Sequence, residues 1–133
     1  MLVVEDDPAM LRALRKVLSA EGGVVSGASW RGEALEYWVN KQARFDLVIT
    51  DLAEPGTGGS RILDALKVAF PRVPIMIITA SGNPGLQARC LGQGAAAFLE
   101  KPVDTKTLLA AIERVLSSRS GWAPISVERI DTP

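Results

Sequence analysis

Six residues whose types could do chemistry stand just past short apolar runs. Glu5, Asp6 and Asp7 follow Leu2 to Val4, Asp51 follows Phe45 to Thr50, Thr79 follows Ile75 to Ile78, and Lys101 follows Ala95 to Glu100. If those runs are parallel strands, the six residues lie at their carboxyl ends, where open α/β sheets bind ligands. Singly, each has a plain explanation: Asp7 caps a helix, a terminal lysine is solvated, and a threonine closes a strand. Together they do not, because carboxylates gathered in one crevice repel by roughly 4 kcal/mol per pair at about 4 Å and an effective dielectric of about 20. A hard divalent cation with oxygen ligands would neutralise them, and two or three carboxylates suit Mg²⁺, which keeps several waters, better than a caged Ca²⁺. Lys101 adds a positive charge without a lone pair for the metal. The set is also a kit for phosphoryl transfer to a carboxylate: a metal and a lysine to neutralise phosphoryl oxygens, a hydroxyl to donate to another, and an aspartate as nucleophile. Asp51 is the best nucleophile, since it follows directly on a buried run and stands outside the acidic cluster.

Composition narrows the alternatives. The chain has 133 residues, enough for one core. Its 47% apolar and 23% charged residues are those of a folded globular domain. Fifteen basic residues balance fifteen acidic ones, so no net charge points to nucleic acid or to a membrane surface. Histidine is absent, which excludes histidine metal sites and nucleophile systems that need an imidazole. Cys90 is the single cysteine and cannot form an internal disulfide, and no apolar run is long enough for a signal peptide or a membrane span. The expectation is a reduced, soluble, cytoplasmic domain that binds neither nucleic acid nor membrane.

The elements that must position the six residues alternate in type. Asp7 as cap and Pro8 at the first helical position open a helix from about Pro8 to Ala20, with Met10, Leu11, Leu14, Val17 and Leu18 on one face and Gly22-Gly23 as its stop. Val24 and Val25 read as a second strand, and Ser29 as the cap of a second helix with Ala34, Leu35, Trp38 and Val39 as its stripe. The tryptophans read as core packing. Phe45 to Thr50 has the continuous apolarity of a strand covered on both faces. A Pro/Gly-rich loop from Glu54 to Gly59 leads to a third helix with Ile62, Leu63, Leu66 and Phe70 on one side. Gly85, Gly92 and Gly94 weaken the fourth helix. The fifth, probed by Leu108, Leu109, Ile112, Val115 and Leu116, takes Asp104 as its cap. Five such alternations predict a three-layer α/β sandwich with right-handed crossovers.

Read as a set, LVVEDDP at the start, FDLVITDLAEPGTGG in the middle, the run ending in ITAS, and GAAAFLEKPVD from Gly94 resemble the receiver domain of bacterial response regulators. The acidic pair, the aspartate of D-x-x-x-P-G, the threonine and the Lys-Pro fall in order over about residues 1 to 117. The resemblance implies a flavodoxin-like (βα)5 fold with sheet order 2-1-3-4-5, and residues 118–133 as a tail or linker. It implies Asp51 as phosphoacceptor from the phosphohistidine of a sensor histidine kinase or phosphotransfer domain. Mg²⁺ would be bound by Asp6, Asp51 and the backbone carbonyl of Ala53, with Glu5 acting through water. Lys101 and Thr79 would hold the phosphoryl group, and Phe98 would swing into the space that Thr79 leaves, changing the surface of the fourth helix, fifth strand and fifth helix for a homodimer or output partner. The only chemistry catalysed would be phosphoryl transfer to, and hydrolysis from, Asp51 itself.

This sequence also departs from the family pattern. Glu54 replaces the usual methionine beside the phosphorylation loop. Ala53 and Ser81 are small at positions that flank the path of attacking water in the family, which implies an influence on phosphoryl lifetime. Ala96-Ala97 and Val103 argue against the charged dimer interface of winged-helix regulators. Two other readings compete. One is a receiver-like interaction module that is never phosphorylated, against which stands the full set of Asp6, Asp51, Thr79 and Lys101. The other is a flavodoxin-type nucleotide binder using Gly56 to Arg61, which lacks the lysine of a P-loop and the last glycine of a dinucleotide loop. No output domain fits after Leu116, so the domain either works by protein contacts or belongs to a longer regulator.

Overall fold

The computed structural model describes residues 1–29, 33–41, 44–51, 59–80 and 84–117. Strands and helices alternate: β1 (Leu2–Val4), α1 (Pro8–Ala20), β2 (Ser26–Ala28), α2 (Glu33–Asn40), β3 (Val48–Thr50), α3 (Gly59–Ala69), β4 (Ile75–Thr79), α4 (Pro84–Gly92), β5 (Ala97–Glu100) and α5 (Thr105–Ser117). All strands are parallel, in the order β2-β1-β3-β4-β5, as the resemblance implies. This is the flavodoxin-like sandwich.

Period-2 alternation along the central strands builds two cores from one sheet. Leu2, Val4, Val48, Ile75 and Ile77 face Leu63 and Leu66 of α3, Leu86 and Cys90 of α4, and Trp38 of α2. Val3, Leu47, Ile49, Met76 and Ile78 face Leu14 and Leu18 of α1 and Leu108, Ile112 and Val115 of α5. Trp38 stacks edge-on against Phe45, and Phe45 against Phe70, at centroid distances of 5.7 and 5.8 Å. The tryptophan expected in the core is therefore packed against it, while Trp30 and Trp122 lie outside the described residues.

The helix ends follow the capping signals. Asp7 Oδ1 accepts from the Ala9 amide at 3.0 Å and Asp104 Oδ1 from the Thr107 amide at 2.7 Å. Hydrogen bonds from Thr107 hold the Asp104 carboxyl below the usual range. At the other end of α1, Gly22 has a φ of 89°, and the Gly23 amide reaches back to the Leu18 carbonyl at 2.9 Å. That is a Schellman close, which requires a residue free to turn left-handed.

Three boundaries differ from the sequence reading. The second strand is Ser26–Ala28 rather than Val24-Val25. Val24 is 42% exposed, and the parallel ladder begins where Ser26 pairs with Leu2. Small residues win here because α1 lies close: a Cβ on Gly27 would stand 2.7 Å from Arg15 Nη2 and 3.0 Å from Leu11 Cδ2. Gly27→Val is accordingly expected to push α1 outwards and cost about 1–3 kcal/mol in urea unfolding, although valine is the better strand former. The third strand is Val48–Thr50, with Phe45 and Leu47 buried before the ladder, and the fifth is Ala97–Glu100, entered through the Ala96 amide bonded to the Ile75 carbonyl at 2.8 Å. The loop around Gly56 and the expected tail lie outside the described residues.

Cys90 is fully buried against α3 and the sheet, and burial pushes its thiol up, with Arg89 opposing in part. Its reaction with a thiol reagent is expected to be undetectable in native buffer and complete in denaturant, so that labelling reports global or local opening.

Candidate functional site

Three of the five strands deliver charged or polar side chains into one place. Glu5 follows β1, Asp51 follows β3, and Lys101 follows β5, and the sheet order brings them together although they are far apart in sequence. The Lys101 ammonium lies 2.8 Å from Glu5 Oε1 and 3.4 Å from Asp51 Oδ2. Glu5 is almost fully buried, at 4% exposure, while Asp51 and Lys101 keep 23% and 19%. Two carboxylates thus share one ammonium at the mouth of the sheet, and the more accessible carboxylate is Asp51.

The backbone holds each of these residues in place. The Asp51 amide donates to the Val4 carbonyl at 3.1 Å, extending the β1–β3 ladder by one step. The Glu5 amide donates to the Ala28 carbonyl at 2.9 Å, and the Lys101 amide to the Thr79 carbonyl at 2.8 Å. Glu5 Oε2 also accepts from the Asp7 amide at 3.1 Å, so each of its oxygens has a partner. Thr50, wholly buried, donates its hydroxyl to the Asp51 carbonyl at 2.8 Å. Burial alone would lower the Lys101 ammonium, but the Glu5 hydrogen bond and the charges of Asp51 and Glu5 outweigh it and raise it above the ordinary lysine value.

The other expected residues fall as follows. Thr79 is buried at the carboxyl end of β4, 1% exposed, opposite Glu100 on β5. Asp6 is exposed at the end of β1 beside Glu5. Phe98 pairs with Ile77 across β4 and β5 and is half-buried against the core that contains Leu86 and Cys90. Ala53, Glu54 and Ser81 lie outside the described residues. Among the described residues, no three acidic, histidine or cysteine side chains are grouped so as to hold a metal by themselves. Two features were missed in the sequence. Glu5 is the nearer partner of Lys101, which the excess of carboxylates over lysine at the strand ends could have signalled. Thr50 braces Asp51, and the one polar residue closing an apolar run was the sign of it.

A model of the response regulator receiver domain matches residues 1–113. The chain belongs to the response regulator receiver family. As a receiver, it is a signalling domain of two-component response regulators. It is 34% identical over 129 residues to the transcriptional regulatory protein GlrR of Escherichia coli K12, a match covering 97% of this chain and 28% of GlrR. This receiver thus spans about a quarter of the length of that relative. Its fold is similar to a CheY-like receiver domain from Methanospirillum hungatei, with a TM-score of 0.77, 29% identity, and coverage of 89% of this chain and 93% of that one. It is also similar to the beryllofluoride-activated NtrC4 receiver domain dimer, with a TM-score of 0.75, 26% identity, and coverage of 90% and 97%. No helix among the described residues of the receiver is long and apolar enough to cross a membrane.

Proposed function

We propose that Asp51 is the phosphoacceptor of this receiver, taking a phosphoryl group from the phosphohistidine of a sensor histidine kinase or phosphotransfer domain. The observation that carries this reading is Asp51 at the mouth of the sheet, partly exposed and within reach of a lysine whose primary partner is a different, buried carboxylate. A carboxylate oxygen of Asp51 attacks phosphorus, the bond from phosphorus to the donor imidazole nitrogen breaks, and the acyl phosphate remains on Asp51. Lys101 is positioned to move from Glu5 to the arriving anionic oxygens, and Glu5 with its second oxygen on the Asp7 amide keeps that lysine ready. Thr79, whose carbonyl is stitched to the Lys101 amide, would bring its hydroxyl to a third oxygen, and Phe98 would follow it.

The pocket offers oxygen donors and two carboxylates for one ammonium, which fits a hard divalent cation. Asp6, Asp51 and the Ala53 carbonyl would hold Mg²⁺, with Glu5 acting through water. When bound, it supplies charge neutralisation at the phosphoryl oxygens. We place the receiver at residues 1–117 and read 118–133 as tail or linker, in a soluble cytoplasmic regulator. The partner surface we favour is α4-β5-α5, taken by a second copy or an output domain; the similar beryllofluoride-activated NtrC4 receiver domain is a dimer. Ala53 and Ser81 are assigned to phosphoryl lifetime, and Glu54 to metal affinity or partner choice.

The test is intact-protein mass after incubation with acetyl phosphate, with and without Mg²⁺. A phosphoryl adduct that requires the metal is the expected result. No adduct in folded protein, from acetyl phosphate or from a panel of phosphorylated kinases, would replace this reading with that of an interaction module.

A further inference from the structure

The regular pairing of β3 ends at Thr50, opposite Val4 on β1 and Ile77 on β4. Asp51 stands one position beyond it, yet both of its backbone polar groups are held. Its amide donates to the Val4 carbonyl at 3.1 Å. Its carbonyl accepts from the Thr50 hydroxyl at 2.8 Å, a bond made by a side chain instead of a neighbouring strand. Holding the peptide groups on both sides of a residue fixes the direction of its Cα–Cβ bond, so only the side-chain torsions remain to place the carboxylate. Thr50 is 0% exposed and closes a run in which Leu47, Val48 and Ile49 are also buried. By alternation it shares the face of Val48, which packs on α3 and α4. Valine has nearly the same shape, is as good a strand former, and brings no hydroxyl out of water, a transfer that costs free energy unless the group is bonded. Packing therefore gives no reason for threonine at this position, whereas the bond to the Asp51 carbonyl does. The brace matters because Asp51 Oδ2 lies 3.4 Å from the Lys101 ammonium, at the outer edge of hydrogen-bond reach, where a small rotation of the Asp51 backbone separates the two.

We propose that Thr50 is a positioning residue for phosphoryl transfer: its buried hydroxyl holds the Asp51 carbonyl and, through that peptide, the angle at which the Asp51 carboxylate meets phosphorus. This rests on the phosphoacceptor reading above. Being wholly buried, Thr50 does not meet the phosphoryl donor; it acts on the rate through the backbone of the residue that does.

The test is the rate of phosphorylation by acetyl phosphate at saturating Mg²⁺, followed by intact mass for wild type, Thr50→Val and Thr50→Ser, beside urea unfolding of each. In this reaction an Asp51 oxygen attacks phosphorus, the bond from phosphorus to the acetate oxygen breaks, and acetate leaves. Thr50→Val keeps the shape and loses the donor, whereas Thr50→Ser keeps the donor and loses a buried methyl group. Thr50→Val should react about 3- to 10-fold more slowly, the size of one neutral hydrogen bond, with a urea midpoint no lower than that of wild type. Thr50→Ser should react within about 2-fold of wild type although its urea midpoint falls, because the lost methyl leaves a gap in the core. A threonine kept for packing alone predicts a wild-type rate in Thr50→Val and harm only in Thr50→Ser. That pattern, or a Thr50→Ser rate as low as that of Thr50→Val, would overturn the proposal and leave the phosphoacceptor reading standing. No adduct in wild type itself would overturn the phosphoacceptor reading and this proposal with it.

Discussion

Asp51→Asn is expected to remove the phosphoryl adduct completely while leaving the fold and most of the stability in place. The amide nitrogen that replaces one carboxylate oxygen is not a nucleophile towards phosphorus, and Glu5, the other carboxylate on the Lys101 ammonium, is buried with both oxygens engaged. The backbone bond from residue 51 to the Val4 carbonyl does not depend on the side chain. Asparagine keeps the shape and can accept from Lys101 through its carbonyl oxygen, and the lysine retains its shorter bond to Glu5. The change in unfolding free energy should therefore stay within about 1 kcal/mol. Intact mass after acetyl phosphate treatment, beside urea unfolding of the same sample, checks both halves. An adduct of undiminished yield in Asp51→Asn would move the acceptor to another residue.

The second large effect belongs to Lys101. Lys101→Met removes the charge that compensates a nearly buried glutamate, and leaving such a group unpaired costs more than the pair itself contributes. The ammonium retains some exposure, so the loss is expected at about 2 kcal/mol rather than the larger values of fully buried pairs. Glu5→Gln in the Lys101→Met background should recover about half of it, because the uncompensated charge is then gone. The pH dependence has a definite sign. The Lys101 pKa is raised in the folded protein, so its stabilising contribution is complete below the unfolded lysine value and is lost as pH rises through the folded value, beyond about 10.5. Wild type should therefore lose stability relative to Lys101→Met on the alkaline side of pH 10.5, and the two curves should run parallel at neutral pH. Urea midpoints at a series of alkaline pH values measure this difference.

How much of this was legible in the chain depends on the kind of signal. The helix-opening Asp7-Pro8 and the Gly22-Gly23 stop gave α1 its observed ends, because capping is local chemistry. The continuous apolar runs gave the central strands, because a strand covered on both faces has no other composition. β2 was misplaced by two residues since apolarity pointed to Val24 and Val25, whereas its position is set by the approach of Leu11 and Arg15 from a different element. The strand-end residues Glu5, Asp51 and Lys101 were legible as a group, since parallel topology puts all such ends at one edge. Which carboxylate the lysine prefers was not, because that is decided by side-chain reach within the folded pocket. The bonds from Lys67 to the Gly94 carbonyl and from Gln93 to Asp64 left no trace in periodicity: they join polar side chains outside the apolar stripe of α3, which is all that a sequence pattern registers.

The placement of β2 has a consequence for behaviour in concentrated solution. It is an outer strand of the sheet, three residues long, made of serine, glycine and alanine. The Arg15 guanidinium donates to the Val25 carbonyl at 3.3 Å just before it, so a cation is posted where a neighbouring polypeptide would begin to pair. A short rim without a large apolar side chain and with a charge beside it is a poor template for strand addition between molecules. The same close approach of α1 that forces glycine at position 27 thereby helps to keep a parallel-sheet protein from growing edge to edge into aggregates.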